Sequence, residues 1–174
     1  MRNNGRYRIP IEYIISLVPL NWRELYWGYD HDYIGWSDLI NYAINKVVNG
    51  SNNPLEIEMA GVLKNESWKV SDIARDLRSE DQPQDDQHIQ HKWLFIVLSY
   101  IYDSSDKYSD RLTEILMVYA DFEYPEEIAA FIRYMPVDKK YLTIYGHLGP
   151  EERLLKIWED YLEKKGKFYS EIDS

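Results

Sequence analysis

His91-Lys92-Trp93-Leu94-Phe95-Ile96-Val97-Leu98-Ser99-Tyr100-Ile101-Tyr102-Asp103 decides how this chain folds. From Trp93 to Tyr102 only Ser99 is neither apolar nor aromatic, so a helix here has no face to turn toward water. A helix that is apolar all round is covered on every side, in a protein core or in a bilayer. The run is far shorter than the roughly 20 apolar residues that cross a bilayer. It therefore predicts a buried core helix over residues 89–103, on which segments from both sides can pack. The expected fold is all-α: a single domain of about eight helices bundled around that central one.

Toward the N-terminus, Ser79 to Gln87 carries no apolar residue and one proline, which predicts an exposed, mobile loop over 79–87 between two helical halves. Before it, Val70, Ile73, Ala74 and Leu77 mark a short helix. Pro54 suits the first position of another, with Leu55, Met59, Val62 and Leu63 on its core face. Asn49-Gly50-Ser51-Asn52-Asn53 stops the helix before that. Ser37 is its expected cap, and Leu39, Ile40, Ala43, Ile44, Val47 and Val48 form its apolar stripe. Asn21 can cap Trp22 to Trp27, with Glu24 as the reciprocal capping-box partner and Gly28 as the stop. Pro10 opens residues 11–18 as a short helix, with a strand as the alternative because the run is rich in Ile and Val. Residues 1–8 are polar and expected to fray.

Beyond the central stretch, Asp103 to Ser109 reads as a turn. Ser109 or Asp110 then caps a helix bearing Leu112, Ile115, Leu116 and Tyr119. Pro125-Glu126-Glu127 opens a further helix, with Ile128, Phe131, Ile132 and Met135 facing inward until Pro136. Residues 137–149 are expected to be irregular. Pro150 opens the last helix, which buries Leu154, Leu155, Trp158, Tyr161 and Leu162, and residues 165–174 read as a frayed tail.

Composition narrows the function classes. A formal net charge of −10 repels phosphate backbones and anionic membrane surfaces, and it favours a basic protein partner. The chain has no cysteine, so disulfides, thiolate nucleophiles and cysteine-bound metals are excluded. Tyr (16) and Trp (6) are abundant, and such rings suit either a core margin or a contact surface. Arg2, Arg6 and Arg8 precede an apolar run as in a leader peptide, but Pro10, Glu12 and Pro19 interrupt it; a cytoplasmic protein is expected.

Few groups offer chemistry. His88 and His91 lie three apart, a spacing that puts both rings on one helical face, with Asp85 and Asp86 nearby. They support an alternative reading as a metal-dependent hydrolase, although no second such motif accompanies them. His31-Asp32 matches part of a helical phosphohydrolase site, but no histidine precedes it to complete the ligand set. No Gly-rich phosphate loop, Gly-x-Ser-x-Gly elbow or His-Glu-x-x-His helix is present. No catalytic residue, metal ligand or cofactor is assigned, and the chain is read as a non-enzyme.

The words Ala120-Asp121-Phe122-Glu123-Tyr124-Pro125-Glu126-Glu127-Ile128 and Arg133-Tyr134-Met135-Pro136 resemble a bacterial family of uncharacterised proteins, domain-of-unknown-function family twenty-two forty-seven. So do Trp27-Gly28-Tyr29 with His31, the helix from Pro54 to Lys64, and Lys92-Trp93-Leu94. The resemblance spans from about Ile9 to Leu162. It brings no activity or catalytic residue with it. Small acidic proteins of this kind often accompany secreted toxins, which implies an immunity protein. The leading expectation is therefore a binding protein that neutralises a basic toxin domain. Aromatics beside acids place its contact surface at Tyr29, Asp30, Asp32, Trp36, Asp121, Glu123 and Tyr124. A structural helical protein without such a partner is the remaining alternative.

Overall fold

The central helix, α6, runs Asp86–Asp103, three residues longer at its start than expected. The computed structural model describes residues 3–172, which form nine α-helices and two 3-10 segments with no strand among them. Every residue from Lys92 to Ile101 is buried. The one polar residue within the apolar run, Ser99, satisfies its hydroxyl by donating to the Phe95 carbonyl one turn back, at 2.8 Å. No helix among the described residues is long and apolar enough to cross a membrane. By its internal contacts the chain divides into two compact units, and the division falls inside α6, after Trp93, not at the connection before it.

The first unit opens with α1 (Ile11–Leu17), which settles the helix-or-strand alternative in favour of helix. Residues 3–8, expected to fray, are instead tied down. The Asn3 amide donates to the carbonyls of Tyr7 (2.9 Å) and Asp32 (3.0 Å), its oxygen accepts the Tyr7 N–H, and Tyr7 is buried. Residues 1 and 2 lie outside the described residues, as do 173 and 174 at the other end.

In α2 (Trp22–Asp30) the expected capping box forms, with Asn21 accepting the Glu24 N–H at 2.9 Å and Glu24 accepting the Asn21 N–H at 3.0 Å. Gly28 does not stop this helix, which continues to Asp30. Gly35, not Ser37, is the cap residue of α3 (Trp36–Val48), because the Asp38 carboxylate reaches back to the Gly35 N–H at 2.7 Å. Of the apolar stripe on α3, Leu39, Ile40 and Ala43 are buried, whereas Ile44 and Val48 are exposed.

Pro54 occupies the first position of α4 (Pro54–Ala60), capped by Asn53. Its core face is Met59 and, unexpectedly, Glu56, while Leu63 is exposed. A 3-10 segment, Lys64–Lys69, feeds α5 (Val70–Glu80). The α5–α6 connection is shorter than the loop expected over 79–87, because α5 takes in Ser79 and Glu80 and α6 takes in Asp86 and Gln87. It is also anchored. Asp81 accepts the Arg23 N–H at 3.2 Å, and Gln84 bonds both Asn21 (3.0 Å) and Glu24 (3.2 Å).

The second unit holds α7 (Arg111–Asp121), capped by Asp110 as expected. The expected α-helix from Pro125 to Pro136 is a 3-10 segment, Glu126–Phe131, instead. Its three residues per turn still put Ile128 and Phe131 on one side, and both are buried. Residues 137–149, expected to be irregular, contain α8 (Lys139–Tyr145), capped by Asp138. α8 carries Tyr141, Leu142, Ile144 and Tyr145 at helical spacing, but it is only seven residues long and none of its residues is buried. The last helix, α9 (Pro150–Ile172), continues through the expected tail. Tyr169 is buried with its ring 5.3 Å from that of Phe95, and Lys165 pairs with Glu127 at 2.8 Å. Trp158 centres this unit's core, stacked on Phe131 at 6.0 Å and edge-on to Tyr102 at 5.1 Å.

Candidate functional site

Four of the expected contact residues come together where α2 ends. The Gly28 carbonyl accepts N–H groups from both Tyr33 (2.9 Å) and Ile34 (3.4 Å), which folds residues 29–34 into a tight return. Tyr33 and Ile34 are buried and anchor it. Beneath it the rings of Trp27, Tyr33 and Trp93 stack at centroid distances of 5.6–6.1 Å, and His31 stacks on Trp27 at 3.7 Å. Asp32 takes a left-handed conformation (φ +64°), the region that Asn and Asp tolerate best among residues other than glycine.

On this base Tyr29, Asp30, Asp32 and Trp36 line one open depression of about 690 Å³, with Arg8, Asp38 and Ser71 also in its wall. The Tyr29 hydroxyl is fixed by a 2.8 Å hydrogen bond with Ser71. Arg8 lies 3.9 Å from Asp32 and is the one cationic side chain among the described residues of the lining, against the carboxylates of Asp30, Asp32 and Asp38. Arg8 and Ser71 were not among the expected site residues. Arg8 falls in the segment expected to fray, and only the fold brings Ser71 of α5 beside α2.

The same unit holds a closed polar frame. Glu24 and Lys92, 2% and 4% exposed, form an ion pair with Nζ 3.1 and 3.2 Å from the two carboxylate oxygens. Glu24 also serves the capping box and Gln84, and its carbonyl accepts the Trp93 indole N–H at 2.7 Å. Buried Glu56 accepts from the Trp22 indole at 2.7 Å and from the Ser51 hydroxyl. Tyr42 donates to the Leu20 carbonyl at 2.6 Å, and its phenol is pushed up to about 12, by burial first and then by Glu56, Glu24 and Asp81. Glu24, Glu56 and Lys92 are buried and Tyr42 is half-buried, and their bonds to one another and to the backbone hold the scaffold.

Asp121, Glu123 and Tyr124 belong to the second unit and form a local cluster at the end of α7. Glu123 and Tyr124 are both left-handed (φ +60° and +61°). Non-glycine residues hold such angles at a cost of about 1–3 kcal/mol each. The Tyr124 N–H closes onto the Tyr119 carbonyl at 2.7 Å, and the two rings meet edge to face at 5.2 Å. Tyr124 remains 65% exposed.

His88 is half-buried and His91 exposed on the first turns of α6. Among the described residues no group of three or more His, Asp or Glu side chains is arranged to hold a metal ion.

Two of the words that carried the family resemblance meet in the first unit. Trp27-Gly28-Tyr29 packs on Trp93 of Lys92-Trp93-Leu94. Residues 11–166 match a family described as an uncharacterized protein conserved in bacteria (DUF2247). No curated protein and no solved structure matches the chain. With nearly its whole length inside that match, from the helix after Pro10 to the middle of α9, the chain belongs to the DUF2247 family.

Proposed function

We propose that the chain is a non-catalytic binding protein that captures a basic protein partner through the depression at the end of α2. The observation that carries this reading is the make-up of that depression. Among the described residues, three carboxylates and the rings of Tyr29 and Trp36 surround one opening, answered by the Arg8 guanidinium. Rings supply contact area at low entropic cost, and a negative rim steers a positively charged partner into encounter. The net charge of −10 extends that field over the whole chain. A toxin domain that acts on nucleic acid presents the complementary basic cleft, and covering such a cleft is how an immunity protein would neutralise it. Asp121, Glu123 and exposed Tyr124 offer a second acid-and-ring patch for the same kind of partner.

The test is photo-crosslinking in a bacterial host from a reactive residue placed at Tyr29, with exposed Val48 as the control position, followed by association kinetics with the captured protein. A basic protein should crosslink from Tyr29 and not from Val48. D30N/D32N should slow its association by about tenfold at about 0.01 M ionic strength and much less at about 0.15 M. Capture of no basic protein, or rates indifferent to both charge and salt, would overturn the reading.

A further inference from the structure

The unit that begins at Leu94 holds an opening of about 660 Å³ between α8, α9 and the 3-10 segment Glu126–Phe131. That size lies within the range of small-molecule sites, roughly 300–1,000 Å³. Its lining is largely apolar and aromatic, with Phe131, Ile144, Ile157, Tyr161 and Phe168 among the contributors. Three ammonium groups (Lys140, Lys164 and Lys165) and two carboxylates (Glu127 and Asp160) complete it.

The acids are already engaged. Glu127 pairs with Lys165 at 2.8 Å, and Asp160 accepts the Tyr145 hydroxyl at 2.6 Å. Among the described residues the Lys140 ammonium lies over the Tyr141 ring at 5.3 Å and forms no ion pair, and neither does Lys164. Among the described residues of the lining, three ammonium groups face two carboxylates, which leaves one net positive charge at an apolar opening, a local reversal of sign in a chain with a net charge of −10. A second, independent observation concerns Tyr161, which lines the opening and is only 9% exposed. Its hydroxyl is buried with no hydrogen-bond partner. Burial first, and Glu127 second, raise the phenol well above its ordinary value, so it stays a protonated donor. Buried polar groups are almost always paired, so an unpaired one calls for a missing acceptor.

We propose that this opening binds a small amphiphilic anion, an alkyl or aryl body carrying one carboxylate or sulfonate. The body lies against Phe131, Ile144 and Phe168, and the head is held by Lys140, Lys164 and the Tyr161 hydroxyl. A cation would meet the lysines unfavourably, and a neutral apolar molecule would leave both them and the hydroxyl unmatched. α8 forms one wall, tied to α9 by the Tyr145–Asp160 hydrogen bond, and none of its residues is buried.

The test titrates the full chain with dodecanoate and with anilinonaphthalene sulfonate, using dodecanol as the neutral counterpart. Each anion should bind saturably at one site and displace the other, with dodecanol at least about tenfold weaker, a difference of about 1.4 kcal/mol. K140A/K164A should weaken both anions by about tenfold, while K46A/K64A, which changes two exposed lysines of the first unit, should leave them unchanged. Y161F should weaken anion binding several-fold while its thermal midpoint holds or rises, because an unpartnered buried hydroxyl has been removed. That combination separates a ligand contact from a packing role. The proposal fails if the folded chain binds neither anion saturably, if dodecanol binds as well as dodecanoate, or if Y161F and K140A/K164A bind like the parent.

Discussion

The Cα of Gly28 lies against the indole of Trp93, so that a Cβ there would sit 2.0 Å from Cζ2 and 2.4 Å from Cη2. No real side chain survives such a contact without displacement of the ring. The ring has little room to retreat: Trp93 is fully buried, its N–H is held by the Glu24 carbonyl at 2.7 Å, and Tyr33 stacks on it at 5.6 Å. Glycine inside a helix normally costs about 1 kcal/mol relative to alanine, so G28A should help if propensity governs. Overpacking a closed core costs about 1–3 kcal/mol and here outweighs that gain. G28A should therefore be net destabilising by about 1–3 kcal/mol, read as a lower denaturant midpoint at unchanged slope. A stabilised G28A would show that the contact is soft.

That glycine also marks where sequence reading stops. A lone glycine near the end of an apolar pattern signals a helix stop and a close approach equally well, and its partner Trp93 lies far along the chain. Local signals are legible in the chain for the same reason that distant ones are not. The Asn21–Glu24 box, Pro54 at a first position and the Asp110 cap each need only neighbours three residues away or fewer. Residues 3–8 looked disordered because the bond that helps fix Asn3 goes to the Asp32 carbonyl. The Ile128 and Phe131 spacing fits α and 3-10 geometry alike, and α8 spans seven residues, too few for its apolar spacing to stand out as periodic. At the depression, the run of rings and acids from Tyr29 to Trp36 was visible locally, whereas Arg8 and Ser71 arrive through the fold.

The Glu24–Lys92 pair gives a second prediction. With both side chains almost wholly shielded, removing the cation strands a carboxylate in the interior, which typically costs about 3–5 kcal/mol. K92M should lose stability on that scale. K92M/E24Q should recover a large part of it, since glutamine can still serve the capping box without carrying charge. A double-mutant cycle on unfolding free energies measures the coupling. Additive losses would mean that the two residues stabilise the fold independently.

Acid stability depends on Asp110. Its carboxyl is held down at about 2, first by the hydrogen bond from Arg133 and then by Thr113. A depressed carboxyl contributes stability that is present above its ordinary value of 3.8 and is lost as pH falls toward about 2. Asp110 is 43% exposed, so solvent screens the effect and it should be small. D110N keeps a capping side chain and removes the charge. The difference in thermal midpoint between the parent and D110N should therefore stay level from neutral pH down to about 4 and shrink below that. A gap that widens on acidification would reverse the assigned sign.

Tyr134 holds φ +69° with its side chain 92% exposed. The left-handed region costs a residue with a Cβ about 1–2 kcal/mol, and a ring in water returns almost nothing through packing. Glycine reaches that conformation without the clash, so Y134G should raise stability by about 1 kcal/mol, although part of the gain is offset by the freer unfolded chain. Y134A keeps the Cβ and should leave stability nearly unchanged. Equal losses in both variants would mean that the ring packs in solution. A gain confined to Y134G would instead mean that the chain carries an exposed aromatic on strained backbone at the expense of its own stability. Strain of that kind gathers where a surface meets other molecules, which makes Tyr134 the next position after Tyr29 from which to crosslink.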